Sequence, residues 1–256
     1  MCVGTTGSLA GVSCGSFDEQ NGIGALDDLR PFELNQSTPP VGPTNTVSQV
    51  FFSEDESRLF TMVKGNPAVN NTGFISAFPV ETESGCPITL SRDDVRSSPA
   101  GTAVLFGSQI IPGTDEIFAT DASFGGAILS VDDATLKAST AAKGEVEGQV
   151  ATCWAAVSPE TDSAFVTDIG SKRLVEMSLT DASIRGELDL TGQDAEGFID
   201  LRTSGGLVFV LAAGGAVPRI LVIDAKRGIN QASLVQGFDI SALGAGSNSQ
   251  GLALLL

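Results

Sequence analysis

The sequence contains no histidine among its 256 residues. Histidine is the side chain that ordinarily titrates nearest to neutral pH, so its absence excludes the commonest general base and any histidine-ligated metal. Basic residues are also few, since 14 Lys and Arg stand against 31 Asp and Glu, for a formal net charge of −17. This charge repels a phosphate backbone. We therefore expect no nucleic-acid partner.

Long apolar runs are missing as well. The stretch 207–224 comes closest to the roughly 18 apolar residues that a membrane helix needs, but Gly214, Gly215 and Pro218 interrupt it. The first residues lack the basic start and apolar run of a secretory signal, so we expect any signal to be absent from this chain. No glycine-rich loop precedes a helix, which leaves no basis for a nucleotide site.

The residues that are abundant favour strands and turns. The chain has 30 glycines and 11 prolines, 42% of its residues are hydrophobic and only 18% are charged. Long helices favour Ala, Leu, Glu and Lys and tolerate Gly and Pro poorly, whereas short strands joined by many turns fit this composition. The sequence therefore predicts an all-β protein with a substantial core.

The four cysteines and two sequons point to an oxidising compartment. A hairpin turning near Ser8 would place Cys2 opposite Cys14, at a separation that a disulfide spans. The pairing of Cys86 and Cys153 stays open. Asn35 in NQS and Asn70 in NNT are candidate glycosylation sites in polar loops. Together these features predict a secreted or cell-wall protein.

One strand pattern recurs along the chain. It appears at 58–65, 116–123, 163–170 and 207–214, with a weaker copy at 1–7, and Phe60, Phe118, Phe165 and Phe209 mark intervals of 58, 47 and 44 residues. Apolar strands precede and follow each of the four stronger copies, and a weaker fourth strand follows, for example at 87–92 and 134–139. Such periods are typical of a β-propeller with four-stranded blades and variable loops. On this interpretation Trp154 is a packing residue between blades.

The ends of the chain predict how the propeller closes. The pattern begins with the second strand of a blade, and residues 250–256 resemble a lone first strand, so the last strand would complete the first blade and remove open sheet edges. We therefore expect residues 1–256 to form one propeller domain with about five repeats. Either the chain closes as five blades, or it is part of a longer ring.

Several stretches resemble a known family. SQVFFSEDESRLFTMVKG, IFATDASFG, GQVATCWAAVS, FVTDIG and the terminal SQGLALLL are similar to the fungal secreted 3-carboxymuconate cyclase-like proteins, within the lactonase family of seven-bladed β-propellers. This resemblance implies that earlier blades are missing here. It also implies cyclisation of a muconate or hydrolysis of a sugar lactone. The cyclising enzymes of the family rely on histidine and arginine, and this chain has no histidine.

In propeller geometry, two sets of loops meet around the central channel on one face, and most distinctive polar residues fall in them. We predict acid, base or anion-holding roles for the charged residues and ligand-binding roles for the amides: Asp121, Asp168, Glu196 and Lys64; Asn45, Gln49, Gln149, Asn248 and Gln250. The alternative is that each aspartate braces its own turn through hydrogen bonds to backbone groups.

Other chemistry has weaker support. Asp121, Asp168 and Glu196 could share a Ca²⁺ ion, although no EF-hand loop is present, and we otherwise expect no cofactor. Cys153 lies in an apolar strand without a histidine to activate it, which favours a structural thiol or half of a disulfide over a nucleophile. Lys64 and Arg173 could clamp a carboxylate.

Two functions follow as hypotheses. One is an enzyme that forms or opens a lactone on a small carboxylated substrate. The other is a non-catalytic propeller whose channel face binds a small carboxylated molecule, a glycan or a protein partner. The absence of histidine favours the second.

Overall fold

Apolar strands alternate with turns rich in Gly, Asp and Ser, and they pair into antiparallel sheets in the computed structural model, which describes residues 1–82, 88–193 and 195–255. Within these residues the only helical segments are three turns of 3₁₀ helix, at Pro67–Val69, Ile229–Gln231 and Ser241–Leu243. None of them approaches the length or hydrophobicity of a membrane-spanning helix.

The first sheet contains the predicted disulfide. Strands β1 (Cys2–Thr5) and β2 (Gly11–Cys14) form a hairpin, β3 (Phe17–Asp18) pairs with β4 (Gly22–Ile23) apart from it, and β5 (Arg30–Pro31) joins β2. Cys2 lies directly opposite Cys14 in the β1–β2 register, and the two are joined by a disulfide. That prediction is confirmed.

The second sheet follows the predicted strand order, with a divided outer edge. It consists of β6 (Val47–Phe52), β7 (Arg58–Asn66), β8 (Asn71–Glu81), β9 (Thr89–Leu90) and β10 (Val95–Ser97). Strand β10 is the outer neighbour of one part of β8, and the short β9 pairs with another part. The predicted fourth strand at 87–92 begins outside the described residues, and within 88–92 only Thr89 and Leu90 are in a strand. The edge is completed further along the chain by β10.

Three more sheets each have four strands in chain order. The third contains β11 (Leu105–Ile110), β12 (Glu116–Asp121), β13 (Gly125–Val131) and β14 (Ala138–Glu145); the fourth contains β15 (Thr152–Ser158), β16 (Ser163–Asp168), β17 (Arg173–Ser178) and β18 (Ile184–Asp189); the fifth contains β19 (Asp200–Ser204), β20 (Leu207–Ala212), β21 (Arg219–Asp224) and β22 (Ser233–Asp239). The outer strand predicted at 134–139 was wrong in its bounds, because β14 begins only at Ala138.

Successive four-stranded, up-and-down sheets are the blades of a β-propeller, so the predicted fold class is confirmed. The number of blades stays a prediction.

Residues 250–255, expected to complete the first blade, are not in a strand, and Leu256 lies outside the described residues. The chain divides into two compact units, 1–106 with 131–139, and 107–130 with 140–256. The single-domain organisation and the closure therefore remain predictions.

Apolar packing within each unit joins consecutive sheets. In the first unit, Val12 and Phe32 near the first sheet pack with Leu59 and Phe78 of the second. In the second unit, Phe165 of the fourth sheet belongs to a cluster shared with the fifth, and the partly buried Trp154 packs against this cluster. The predicted packing role of Trp154 is thus confirmed.

The fourth sheet has apolar residues on both faces. Because side chains alternate along a strand, neighbouring residues of β16 point to opposite sides. Phe165 faces the cluster shared with the fifth sheet, whereas Ala164 and Val166 face a second cluster that contains Phe118 and Ile128 of the third sheet. Gly107 permits β11 to lie close to β15, since a Cβ at position 107 would lie 2.7 Å from the carbonyl oxygen of Cys153.

Candidate functional site

The carboxylate of Asp168, at the end of β16, is surrounded by backbone donors. One oxygen accepts the N–H of Val150 at 2.7 Å, and the other accepts those of Ala151, Gly170 and Ser171 at 3.2, 2.7 and 3.2 Å. The residue is only 2% exposed. Asp168 therefore holds the loop before β15 and the turn after β16, as the turn-brace alternative predicts.

Asp121 occupies the corresponding position at the end of β12. It is fully buried, and one carboxylate oxygen accepts the backbone N–H of Ser123 at 2.9 Å and its hydroxyl at 2.5 Å. The carbonyl of Asp121 also accepts the N–H of Phe124 at 3.1 Å. The local geometry is again that of an aspartate bracing the following turn.

Glu196 differs from these two aspartates because it is exposed. Its carboxylate makes no hydrogen bond or ion pair within the part of the chain that the structure describes. Across residues 1–82, 88–193 and 195–255, no three Asp, Glu or Cys side chains gather into a group that could hold a metal. The structure therefore does not bring Asp121, Asp168 and Glu196 together as a Ca²⁺ site.

Lys64 lies near the end of β7 and is 7% exposed. Its ammonium nitrogen is 4.1 Å from the centre of the Phe106 ring, a cation–π distance, and its backbone N–H donates to the carbonyl of Thr46 at 2.9 Å. The cation predicted to hold an anion is therefore largely covered by an aromatic ring and its own sheet.

Asn45 connects three segments of the first unit. Its side-chain amide donates to the carbonyl of Leu34 at 2.6 Å and accepts from the side chain of Asn71 at 3.1 Å. Leu34 and Asn71 are adjacent in sequence to the predicted glycosylation sites, Asn35 and Asn70. Both of these asparagines are exposed, with positive φ angles of 53° and 56°. The two sequons thus lie on segments that Asn45 ties together, and their modification remains a prediction.

The remaining predicted amides have different environments. Gln149 donates to the carbonyl of Ala122 at 3.1 Å and accepts from the N–H and hydroxyl of Thr152 at 2.8 and 2.6 Å, so it is a loop brace. Gln49 is half-buried on β6. Asn248 and Gln250 are exposed near the end of the chain. These last two are the predicted ligand-binding amides most accessible to solvent.

Two further predicted groups are also accounted for. Arg173 forms an ion pair with Glu187 at 2.8 Å, and its other terminal nitrogen donates to the carbonyl of Glu147. Cys153 is buried in β15, as expected for a structural residue. Cys86 lies outside the described residues, so its pairing with Cys153 stays open.

Several buried charges were not predicted from the sequence. Asp200 is 2% exposed and accepts the N–H of Leu252 at 2.6 Å and a guanidinium nitrogen of Arg202 at 2.7 Å. Glu176 is 3% exposed on β17. The available signal was its position in the apolar stretch LVEMS, where a strand residue is expected to be buried. A charge in such a place is rarely buried without a partner.

Arg30 is another missed buried charge. It is 3% exposed and donates to the carbonyls of Leu90 and Ser91 at 2.7 and 2.6 Å and to both carboxylate oxygens of Asp27. These bonds from Arg30 hold the pKa of Asp27 below its ordinary value, and the N–H of Cys14 adds to this effect although burial opposes it. Asp27 also borders an apolar pocket of about 440 Å³ beside the disulfide.

No protein-family model matches the chain, and no curated protein matches it in sequence. Solved structures do match its fold. A putative 6-phosphogluconolactonase from Bacteroides uniformis aligns with a TM-score of 0.64 and 16% identity over 91% of this chain and 65% of that one. A functionally unknown protein from Desulfotomaculum acetoxidans gives a TM-score of 0.58 and 12% identity over 93% and 69% of the two chains.

A third match comes from a nidogen–laminin complex, with a TM-score of 0.54 and 8% identity over 90% of this chain and 72% of that one. Likeness at these identities establishes the fold alone. The chain spans less than two thirds of the length of the Bacteroides protein.

Proposed function

We propose that this chain is a lactonase-like β-propeller that binds a small carboxylated ligand without turning it over. The observation that carries the proposal is the environment of Asp168. A carboxylate has about four acceptor sites, and backbone N–H groups of Val150, Ala151, Gly170 and Ser171 occupy that number. Three of these bonds go to Oδ1 and one goes to Oδ2, and the residue is only 2% exposed, so the carboxylate is engaged in bracing the backbone and is poorly accessible to a substrate.

Asp121 is also poorly accessible to a substrate, because it is fully buried and its carboxylate accepts two hydrogen bonds from Ser123. The sequence has no histidine, so the commonest group that moves protons near neutral pH is absent, and Asp121 and Asp168 are engaged in holding the backbone. Binding requires only complementary placement, which rigid loops on a propeller supply.

Two observations support the lactonase-like part of the proposal. The fold is similar to that of a putative 6-phosphogluconolactonase, and the sequence resembles 3-carboxymuconate cyclase-like proteins. Ligands of both kinds carry carboxylate or lactone groups. The Cys2–Cys14 disulfide supports secretion or a cell-wall location, because disulfides persist in oxidising compartments. A glycan or protein partner would fit the same location.

One observation favours the alternative, an enzyme that forms or opens a lactone. Glu196 is exposed and makes no hydrogen bond or ion pair among the described residues. Its carboxylate is therefore able to accept a proton from a bound substrate. In this alternative Glu196, rather than Asp121 or Asp168, acts as the base.

The test measures turnover and binding on the same preparation. We expect no change in the absorbance of 3-carboxy-cis,cis-muconate and no acid release from glucono-δ-lactone beyond a boiled control. Isothermal titration with 3-carboxymuconate and D-gluconate should show saturable binding of at least one of them. Glu196→Gln should leave that affinity nearly unchanged.

Turnover that Glu196→Gln abolishes while the fold is retained would establish the enzyme instead. Absence of both turnover and binding would reject a small carboxylated ligand.

A further inference from the structure

A groove in the second unit contains none of the site residues that were predicted from the sequence. It is formed by the β15–β16 turn, strand β18 and the β21–β22 loop, and its volume is about 360 Å³. Three of the chain's 14 basic residues line it: Arg185, Lys226 and Arg227. Such a concentration is notable in a chain with a formal net charge of −17.

The buried carboxylate of Glu176 fixes the floor of this groove. One oxygen accepts the hydroxyl of Ser163 at 2.6 Å, and the other accepts the N–H of Ile229 at 2.6 Å. Gly228 makes the second bond possible, since its φ is 81° and a Cβ there would lie 3.2 Å from the carboxylate. The loop that carries Lys226 and Arg227 is thereby held against β17.

Arg185 is positioned by the same network. One terminal guanidinium nitrogen donates to the carbonyl of Thr161 at 2.9 Å and lies 4.0 Å from the carboxylate of Glu176. Asn230 donates to the carbonyl of Arg185 at 3.1 Å. The other guanidinium nitrogens make no hydrogen bond among the described residues, and the side chain is 36% exposed. Arg185 therefore keeps donors available to a ligand.

Lys226 and Arg227 are exposed, and within the described part of the chain their side chains form no hydrogen bond or ion pair. The Lys226 stem packs over Gly206, where an added Cβ would lie 2.3 Å from the Lys226 Cγ. The lysine is thus anchored at its base while its ammonium group remains in solvent.

We infer that this groove binds a small anion that carries at least two oxyanion groups, either carboxylate or phosphate. The carboxylate of Glu176 contacts Arg185, Ser163 and the N–H of Ile229. Lys226 and Arg227, in contrast, form no ion pair with any residue that the structure describes. Guanidinium groups match planar oxyanions through paired N–H donors. A groove of about 360 Å³ lies in the size range of small-ligand sites.

This site is independent of the proposed function, because it shares no residue with the carboxylates discussed there or with the predicted ligand-binding amides. The negative charge of Glu160 at the rim disfavours ligands that are long and uniformly anionic. A compact ligand with its charges at two points fits the cations better.

The test titrates the whole protein with citrate, which carries three carboxylates, and follows backbone amides by NMR. Inorganic phosphate and methylphosphonate carry one oxyanion group each, so they should bind more weakly than citrate. We expect citrate to change the amide chemical shifts of Arg227, Gly228 and Asn230 in a saturable way, with a Kd of about 1 mM. Lys226→Gln combined with Arg227→Gln should weaken citrate binding about tenfold or more. Both side chains are exposed, so the variant should keep the wild-type unfolding temperature.

The matched control removes two positive charges elsewhere, through Lys137→Gln combined with Lys172→Gln. It should change the citrate affinity by less than about twofold, because long-range charge effects are screened by salt. Equal weakening in both variants would show a general effect of net charge and reject the site. Shifts that do not saturate by about 20 mM, or that occur away from the groove, would reject it too.

Discussion

The carboxylate of Asp200, at the start of β19, accepts the backbone N–H of Leu252 at 2.6 Å. This bond connects the last residues of the described chain to the fifth sheet. Asp200→Ala should release them, so we expect the Leu252 amide to exchange with deuterium about tenfold faster or more.

Arg202→Ala is the matched control for this change. It removes the ion pair with Asp200 at 2.7 Å but leaves the bond to Leu252. Equal acceleration of exchange in both variants would mean that the ion pair, and not the Leu252 bond, holds the segment.

Asp168→Ala should lower the free energy of unfolding by about 3 kcal/mol, because several backbone N–H groups lose a charged acceptor in a buried place. Glu196→Ala changes an exposed carboxylate and should stay within about 0.5 kcal/mol of the wild type. Urea unfolding measures both values. A stable Asp168→Ala protein would remove the bracing role on which the proposed function rests.

Gly107→Ala should destabilise the protein by about 1–3 kcal/mol, because a Cβ at this position would lie within 2.9 Å of backbone atoms of Cys153, Trp154 and Ala155. Gly192→Ala is the control, since no atom lies within 4 Å of its added Cβ. Thermal unfolding of the two variants gives the comparison. A neutral Gly107→Ala would show that β11 and β15 can separate without cost.

Reduction of the Cys2–Cys14 disulfide should lower stability by about 3 kcal/mol, the loss expected for a closed loop with a sequence separation of 12. The measurement is the urea midpoint with and without reductant. Cys153→Ala should keep this sensitivity to reductant, whereas Cys2→Ser combined with Cys14→Ser should lose it. Persistence of the sensitivity in the double variant would assign it to another bond.

Hydrogen bonds from Ser53, and then from Ser57, lower the pKa of Asp55 from 3.8 to about 2. Since the folded state favours the charged form, this interaction stabilises the protein above pH 3.8 and is lost as the pH falls through about 2.

NMR titration of the Asp55 carboxyl carbon in Ser53→Ala should show a pKa closer to 3.8. The pKa of Asp132, which Thr135 lowers in another turn, should not change. An unaltered Asp55 pKa in Ser53→Ala would assign the effect to Ser57 and Arg58.

The inner strands could be predicted because their apolar residues are buried and β-branched or aromatic. Residues 163–170 were predicted as a strand, and β16 covers Ser163–Asp168. The outer strands were harder. In β14, ASTAAKGE, half-buried and exposed residues alternate and small or polar side chains dominate, so no hydrophobic period marks the strand.

The site was less predictable than the fold. The sequence indicated that Asp168 lies in a turn, but its bond to Val150 depends on how the two ends of the β15–β16 hairpin meet. The contact of Glu176 with Ile229 joins residues 53 apart. No local pattern specifies such a contact, because it arises from the packing of the fourth sheet against the loop of the fifth.

The two apolar faces of the fourth sheet bear on how such a repeat protein can evolve. Phe165 fits one neighbouring surface and Val166 another, so each copy of the repeat must complement two different partners. A blade copied from elsewhere in the chain would fit only where both of its faces match those of its new neighbours. Duplicated blades would therefore diverge under selection for their individual neighbours, while the hydrogen-bonding pattern of their strands stays common to all of them.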